Sequence, residues 1–232
     1  VIATADKRSY ATLLRCDLPI TPYADALALQ RMLQRARRAG LIADTLLFLE
    51  HPPTYTRGRR SRPEELPAGA AHYRSLGIEV CETDRGGRVT YHGPGQLIGY
   101  VIARVEDVVA HVRMLERALI EALYEIGVQG RSRVAEGPDF TGVWVQERKI
   151  ASIGVHVAGG VTTHGFALNV DNDLAPFSWV VPCGLPGVQM TSVAAELQLG
   201  ADAGDLGARL RGAIHRTLSG ALQERALRGS AA

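Results

Sequence analysis

Apolar residues recur at helical spacing from Tyr23 through Ala26, Leu27, Leu33 and Ala36 and stop at Gly40, which predicts an α-helix over about residues 22–39. Thr21-Pro22 just ahead has the form of an N-cap followed by proline at the first helical position. The arginines of this helix, Arg31, Arg35, Arg37 and Arg38, read as a solvated face in preference to an anion site. A second stripe, Val108, Val112, Leu115, Leu119, Leu123 and Ile126, precedes Gly127 and predicts a helix from about Asp107 to Ile126. From Asp202 to Arg228, Leu206, Leu210, Ile214, Leu218 and Leu222 keep roughly helical spacing, interrupted by Gly204, Gly207 and Gly212. One or two terminal helices are expected there.

Between the helices the period changes. Thr45-Leu46-Leu47-Phe48-Leu49 is a short apolar run ending before His51-Pro52-Pro53, which predicts a strand covered on both faces. Leu97 to Ala103 and Phe166 to Val170 read as further strands. Val143-Trp144-Val145 and Ile150 to Val157 flank Glu147-Arg148, which predicts an antiparallel hairpin with Lys149 near its turn. Residues 57 to 75 are rich in Arg, Pro, Gly and Ala without sustained periodicity and read as a long surface segment. Helices early, centrally and late around a strand-rich middle predict an α+β fold, a mixed β-sheet flanked by helices. With no long polar linker and no repeat, residues 1–232 read as a single domain, with a small C-terminal subdomain from about residue 185 as an option.

Composition narrows the class. At 232 residues, 46% hydrophobic and 22% charged, the chain can bury a substantial core, so a disordered protein is excluded. A formal charge of +2 gives no basic surface of the kind nucleic acid requires, and no nucleic-acid partner is expected. Cys16, Cys81 and Cys183 are too sparse and odd in number for a disulfide scaffold, which makes a reducing, cytoplasmic location the default. The opening VIATADKRSYATLL lacks a signal-peptide pattern, and no run of about 18 apolar residues occurs, so neither export nor a membrane span is expected.

Four places offer chemistry. Asp84-Arg85-Gly86-Gly87-Arg88-Val89-Thr90-Tyr91-His92-Gly93-Pro94-Gly95-Gln96 concentrates glycines, arginines and a histidine, and composition alone leaves open a ligand loop or turn chemistry. It matches neither GxGxxG nor GxxxxGK[ST], so nucleotide binding has no motif support. Cys183, between Pro182 and Gly184, is either an acyl-accepting thiolate or a buried cysteine in a turn. Cys16 and Cys81 take the buried reading more strongly. Lys149, near a hairpin turn, is by default a solvated lysine, and His164 is a substrate contact or a structural histidine. No histidine or cysteine pair of the CxxC or HExxH kind occurs, and Asp171-Asn172-Asp173 lacks the later ligands of a calcium loop, so no metal is expected.

Taken together, DRGGRVTYHGPGQLIGY at 84–100, RKIASIG at 148–154, THGFALNV at 163–170, PCG at 182–184 and LEHPPTYTRGR at 49–59 resemble the lipoyl(octanoyl) transferase family. The resemblance spans roughly residues 10 to 200 and implies a fold similar to the catalytic domain of lipoate and biotin protein ligases. It implies Cys183 as acyl-thioester nucleophile and Lys149 as the lysine beside it. The acyl-substrate site it implies comprises Arg85, Gly86, Gly87, Arg88, Val89, Thr90, Tyr91 and His92, with Ser152, Ile153 and Gly154, and with His164, Gly165, Phe166 and Ala167. The implied donor is octanoyl-acyl carrier protein. The implied acceptors are lipoyl domains of 2-oxoacid dehydrogenase complexes and the glycine cleavage H protein, with no cofactor.

An ammonium beside Cys183 favours a thiolate and can carry protons in the second half-reaction. The developing oxyanion is expected to meet backbone amides near Gly184 or in the 152–154 segment, and the strands around 97–103 and 150–157 to line an apolar slot. Three rivals remain at this stage: an ATP-dependent lipoate or biotin ligase, a non-catalytic module that binds lipoyl domains or carrier proteins, and a cysteine hydrolase. No oligomeric state is read from the sequence, a monomer being slightly preferred.

Overall fold

A computed structural model describes residues 13–199 and 205–229, without the side chains of 226–229. The chain runs β1 (Leu14–Ile20), α1 (Tyr23–Arg38), β2 (Thr45–Glu50), β3 (Thr54–Arg57), α2 (Gly69–Ser75), β4 (Glu79–Glu82), β5 (Thr90–His92) and β6 (Gln96–Ile102). It continues with α3 (Val108–Tyr124), β7 (Arg131–Ser132), β8 (Gly142–Val145), β9 (Arg148–Ala158), β10 (Val161–Asn169), β11 (Gln189–Met190), α4 (Val193–Glu196) and α5 (Leu206–Gly229).

Eight strands form one mixed sheet in the order β1-β2-β6-β10-β9-β8-β7, with β11 parallel to β9. A smaller sheet has the order β4-β3-β5. The strict alternation of side chains along a strand divides the core. Leu46, Phe48, Leu97, Val101, Phe166 and Leu168 face α3 and α5, where Leu115, Leu119, Leu210 and Ile214 complete one apolar layer. Leu47, Leu49, Ile98, Tyr100 and Ala167 face the other way, against Ala26 of α1. The small sheet has its own core of Tyr55, Tyr73, Ile78, Val89, Tyr91 and Phe177. No described helix is long and apolar enough to cross a membrane.

The α+β expectation holds, and so do both early helices and the central strands. Asp107 caps α3, its carboxylate accepting from the N–H groups of Val109 and Ala110. At α1 the expected cap fails: Thr21 donates its hydroxyl to Pro19 O, and Pro22 occupies the cap position. Arg37 leaves the solvated face to which it was assigned, since it is buried with its Nε 2.6 Å from Asp44 Oδ1.

Residues 57 to 75 are not a plain surface segment. They carry a 3-10 turn at Pro63–Glu65 and helix α2, which bury Glu65, Leu66 and Tyr73. β10 begins five residues earlier than its apolar run because Val161 to Gly165 pair with Ala158 to Gly154. α5 passes through Gly207 and Gly212 without a break and shares the main core with α3. The predicted beginning of that tail at Asp202, and the first twelve residues, lie outside the described part. Cys16 is exposed on the edge strand β1 and not buried.

Candidate active site

A cavity of about 360 Å³ opens where the two sheets, the loop before β5 and the first turns of α3 meet. Val108, Val109, Val112, Ile153 and Phe166 give it an apolar side. Arg85, Thr90, His92, Lys149, Ser152 and His164 contribute polar groups, and Cys183 stands in its wall.

Lys149 reaches the site from the second residue of β9, opposite Trp144 of β8. The solvated reading is wrong: the side chain is 1% exposed, packed with its ammonium 5.3 Å from the Trp144 ring centroid. From there Nζ donates to Cys183 Sγ at 3.1 Å. Three residues further along β9, Ser152 Oγ lies 3.9 Å from the same sulfur.

Cys183 is held in the left-handed region, φ 59° and ψ 10°, within a 3-10 turn formed by Pro182-Cys183-Gly184. Non-glycine residues rarely adopt this conformation, and it costs about 1–3 kcal/mol where surrounding contacts impose it. Those contacts are visible. The Cys183 N–H donates to Val89 O of the small sheet at 2.9 Å. Gly184 also has positive φ, 68°, and a Cβ there would run into Arg88 Cδ. Arg88 in turn donates to buried Glu65 at 2.7 Å. The amides near Gly184 are already committed, Gly184 N–H to Val181 O and Leu185 N–H to Pro182 O, so they do not serve as the expected oxyanion donors.

Beneath the cavity lies a closed polar network. Asn169 donates to Thr191 O, and Gln96 donates to Asn169 Oδ1. These bonds leave Gln96 Oε1 as the acceptor for His92 Nδ1 at 2.8 Å. His92 Nε2 therefore accepts from Thr56 Oγ1, whose lone pairs receive Arg85. Burial holds the His92 imidazole well below its ordinary pKa, with His51 and Arg85 adding to the effect. The ring is thus neutral, with both nitrogens engaged inside the protein. Arg85 is buried, with no carboxylate bonded to its guanidinium among the described residues, and desolvation pushes its pKa down.

His164 is likewise buried, at positive φ of 62° in mid-strand. Its Nε2 is bonded to Asp84 Oδ1 at 2.8 Å, and that bond holds the Asp84 carboxyl below the usual carboxylate range. Burial lowers the His164 imidazole although Asp84 pulls the other way.

Of the residues that the resemblance implied, thirteen of the fifteen substrate-site positions line the cavity. Val89 and Tyr91 do not. The alternation of β5 turns them into the core of the small sheet, while Thr90 and His92 face the cavity. Tyr100 lines the cavity from the strand expected to do so, whereas sequence reasoning missed Tyr23, Asp84, Asp139 and the α3 valines. Asp84 carried a signal, since it opens the glycine-rich segment, but the others come from helix and loop positions that composition does not distinguish. Cys81 is no rival nucleophile, because burial and its bond with Glu79 push its thiol up to about 12. Among the described residues no group of His, Cys, Asp and Glu is arranged to hold a metal ion.

Comparison with known proteins places this geometry. Residues 22–214 match the model of the lipoyl protein ligase A/B catalytic domain. The octanoyltransferase of Rubrobacter xylanophilus is 50% identical over 182 residues, covering 77% of this chain and 80% of that protein. That of Mycobacterium ulcerans is 45% identical over 216 residues, covering 88% and 87%. Among solved structures, lipoate-protein ligase A bound with ATP superposes with a TM-score of 0.71 at 20% identity, over 91% of this chain and 85% of that one. A biotin protein ligase from Leishmania major with biotinyl-5-AMP gives 0.52 at 15%, over 92% and 75%. These two likenesses show the fold, and the match over residues 22–214 shows the family: the chain belongs to the lipoyl protein ligase A/B catalytic domain family.

Proposed function

We infer that this chain is an acyltransferase that moves an octanoyl group from a carrier-protein thioester to a lysine of a lipoyl domain, through a thioester on Cys183. The observation that carries the chemistry is the 3.1 Å contact between Lys149 Nζ and Cys183 Sγ in the wall of the cavity. The names of the relatives in Rubrobacter xylanophilus and Mycobacterium ulcerans supply the acyl group.

Charge at Lys149 stabilises a thiolate beside it. The sulfur attacks the octanoyl carbonyl, the carbon–oxygen π pair moves to oxygen, and collapse of the adduct breaks the bond to the carrier sulfur. The carrier leaves as a thiol with the proton of Lys149. Neutral Lys149 then takes a proton from the incoming lysine ammonium, the amine attacks octanoyl-Cys183, and collapse returns the thiolate as the second amine proton passes to water. An amide replaces a thioester, so the second half runs downhill without ATP. The apolar side formed by Val108, Val109, Val112, Ile153 and Phe166 suits the acyl chain.

The test is the intact mass of the protein after brief incubation with octanoyl-loaded acyl carrier protein, without ATP or acceptor. One hydroxylamine-labile octanoyl adduct, located on Cys183 and absent from Cys183→Ala, is expected. Turnover with no adduct, or a strict need for ATP, overturns the covalent route.

A further inference from the structure

Thioester attack builds negative charge on the carbonyl oxygen, and this site needs a hydrogen-bond donor that is not already in use. The backbone does not provide one at the nucleophile. The N–H groups of Cys183, Gly184 and Leu185 donate to Val89 O, Val181 O and Pro182 O at 2.9, 3.3 and 3.1 Å.

Of the wall's buried polar atoms with no hydrogen-bond partner among the described residues, Arg88 Nε, Asp139 Oδ1, His164 Nδ1 and Thr90 Oγ1, only the last belongs to a hydroxyl. Thr90 lies on the cavity side of β5 and is 5% exposed, yet its hydroxyl is buried with no hydrogen-bond partner among the described residues. Thr56, directly across the β3–β5 pairing, has its hydroxyl fully engaged with Arg85 and His92. A buried hydroxyl without a partner is costly, and this one faces the cavity in whose wall Cys183 stands. Val89, whose carbonyl fixes the Cys183 N–H, shares a peptide bond with Thr90. The same hydrogen bond therefore ties the backbone of the Cys183 turn to the strand that carries Thr90.

We propose that Thr90 is a catalytic residue, its free hydroxyl donating to the thioester oxygen as that oxygen becomes negative during acylation of Cys183. The proposal rests on the acyl-Cys183 reading given above. In the attack the Sγ–carbon bond forms, the π pair moves to oxygen and Thr90 O–H donates to it. In the collapse the pair returns, the carbon–sulfur bond to the carrier breaks, and Thr90 keeps its proton throughout.

The decisive measurement pairs two reactions of Cys183 in Thr90→Val, Thr90→Ser and the parent. One is the single-turnover rate of octanoyl adduct formation from octanoyl-acyl carrier protein. The other is alkylation by iodoacetamide, a displacement that forms no oxyanion. Thr90→Val is expected to acylate about 10²–10³-fold more slowly while alkylating at the parent rate, and Thr90→Ser to recover most of the loss. Equal acylation in Thr90→Val, or a parallel fall of both reactions, overturns the proposal. So does a loss confined to Ser152→Ala measured alongside. A parent protein that forms no adduct at all refutes the acyl-Cys183 reading itself, and this assignment with it.

Discussion

Arg85 and His92 are joined through one oxygen, Thr56 Oγ1, which lies 2.7 Å from Arg85 Nη2 and 3.1 Å from His92 Nε2. A buried guanidinium is thus held by a hydroxyl and backbone carbonyls, with no carboxylate among the described residues, and the neighbouring imidazole is fixed as the acceptor of that hydroxyl's proton. Thr56→Val keeps the shape of the side chain, leaves His92 Nε2 without its donor and leaves Arg85 to the carbonyls of Thr56 and Gly86. It is expected to cost about 1–3 kcal/mol, read as a lower urea midpoint at unchanged slope.

Lys149→Met preserves most of the buried volume beside Trp144 and removes the ammonium. Proton transfer by a positioned group contributes about 10²–10⁴-fold, and a loss of that order is expected in the acceptor step. The rate of that step should also rise more steeply with pH than in the parent, because the acceptor's proton must then leave to solvent. Separate timing of adduct formation and adduct discharge measures both effects.

At Gly184 a Cβ meets two objections: positive φ and the Arg88 side chain. Gly184→Ala is expected to lose about 1–2 kcal/mol from conformation alone, more as Arg88 is pushed from Glu65. A fall in melting temperature of roughly 3–8 °C is the readout, accompanied by slower acylation of Cys183.

His111 of α3 is 1% exposed, and neither ring nitrogen has a hydrogen-bond partner among the described residues. Burial, reinforced by the charge of Arg225, lowers its pKa to about 4. The unfolded imidazole takes up a proton near pH 6.5 and the folded one does not until about pH 4. Stability is therefore whole above pH 6.5 and falls as pH drops through the window to 4, by about 3 kcal/mol. Denaturant unfolding across that range should show the slope, and His111→Leu should flatten it.

Arg59 and Arg62 are exposed and form no ion pair among the described residues, whereas Arg57 is paired with Glu82 and Arg60 with Asp139. On the proposed function, an acidic carrier would be drawn to these two unpaired charges. Replacing both by glutamate is expected to raise KM for the carrier and reduce its salt dependence while leaving kcat unchanged, in steady-state assays at two ionic strengths.

Much of this was legible in the sequence, and the reasons for the rest are physical. Helices α1 and α3 announce themselves because their apolar stripes keep the helical period. The small sheet does not, since β3, β4 and β5 are three or four residues long, too short for alternation to register. Lys149 illustrates a deeper limit. A hairpin position predicts exposure from local pattern, whereas Trp144 across the hairpin and the turn carrying Cys183, 34 residues later in the chain, close over it. The cavity's glycine-rich wall was visible as composition, but the division of labour along β5 was not. Thr90 and His92 face the cavity while Val89 and Tyr91 anchor a second core, and that follows from pleat, which a motif match ignores.

Cys183 and Lys149 also belong to parts of the molecule with different mechanical character. Lys149 and Ser152 ride on β9, hydrogen-bonded on both sides within the large sheet, whereas Cys183 sits on a short turn tied to the small sheet by the bond to Val89 O. Amide hydrogens of β9 should consequently exchange with solvent only on global opening, and those around Cys183 through local fluctuations of much lower energy. On the proposed function, the turn would yield as two protein substrates come and go in succession, against a strand that does not.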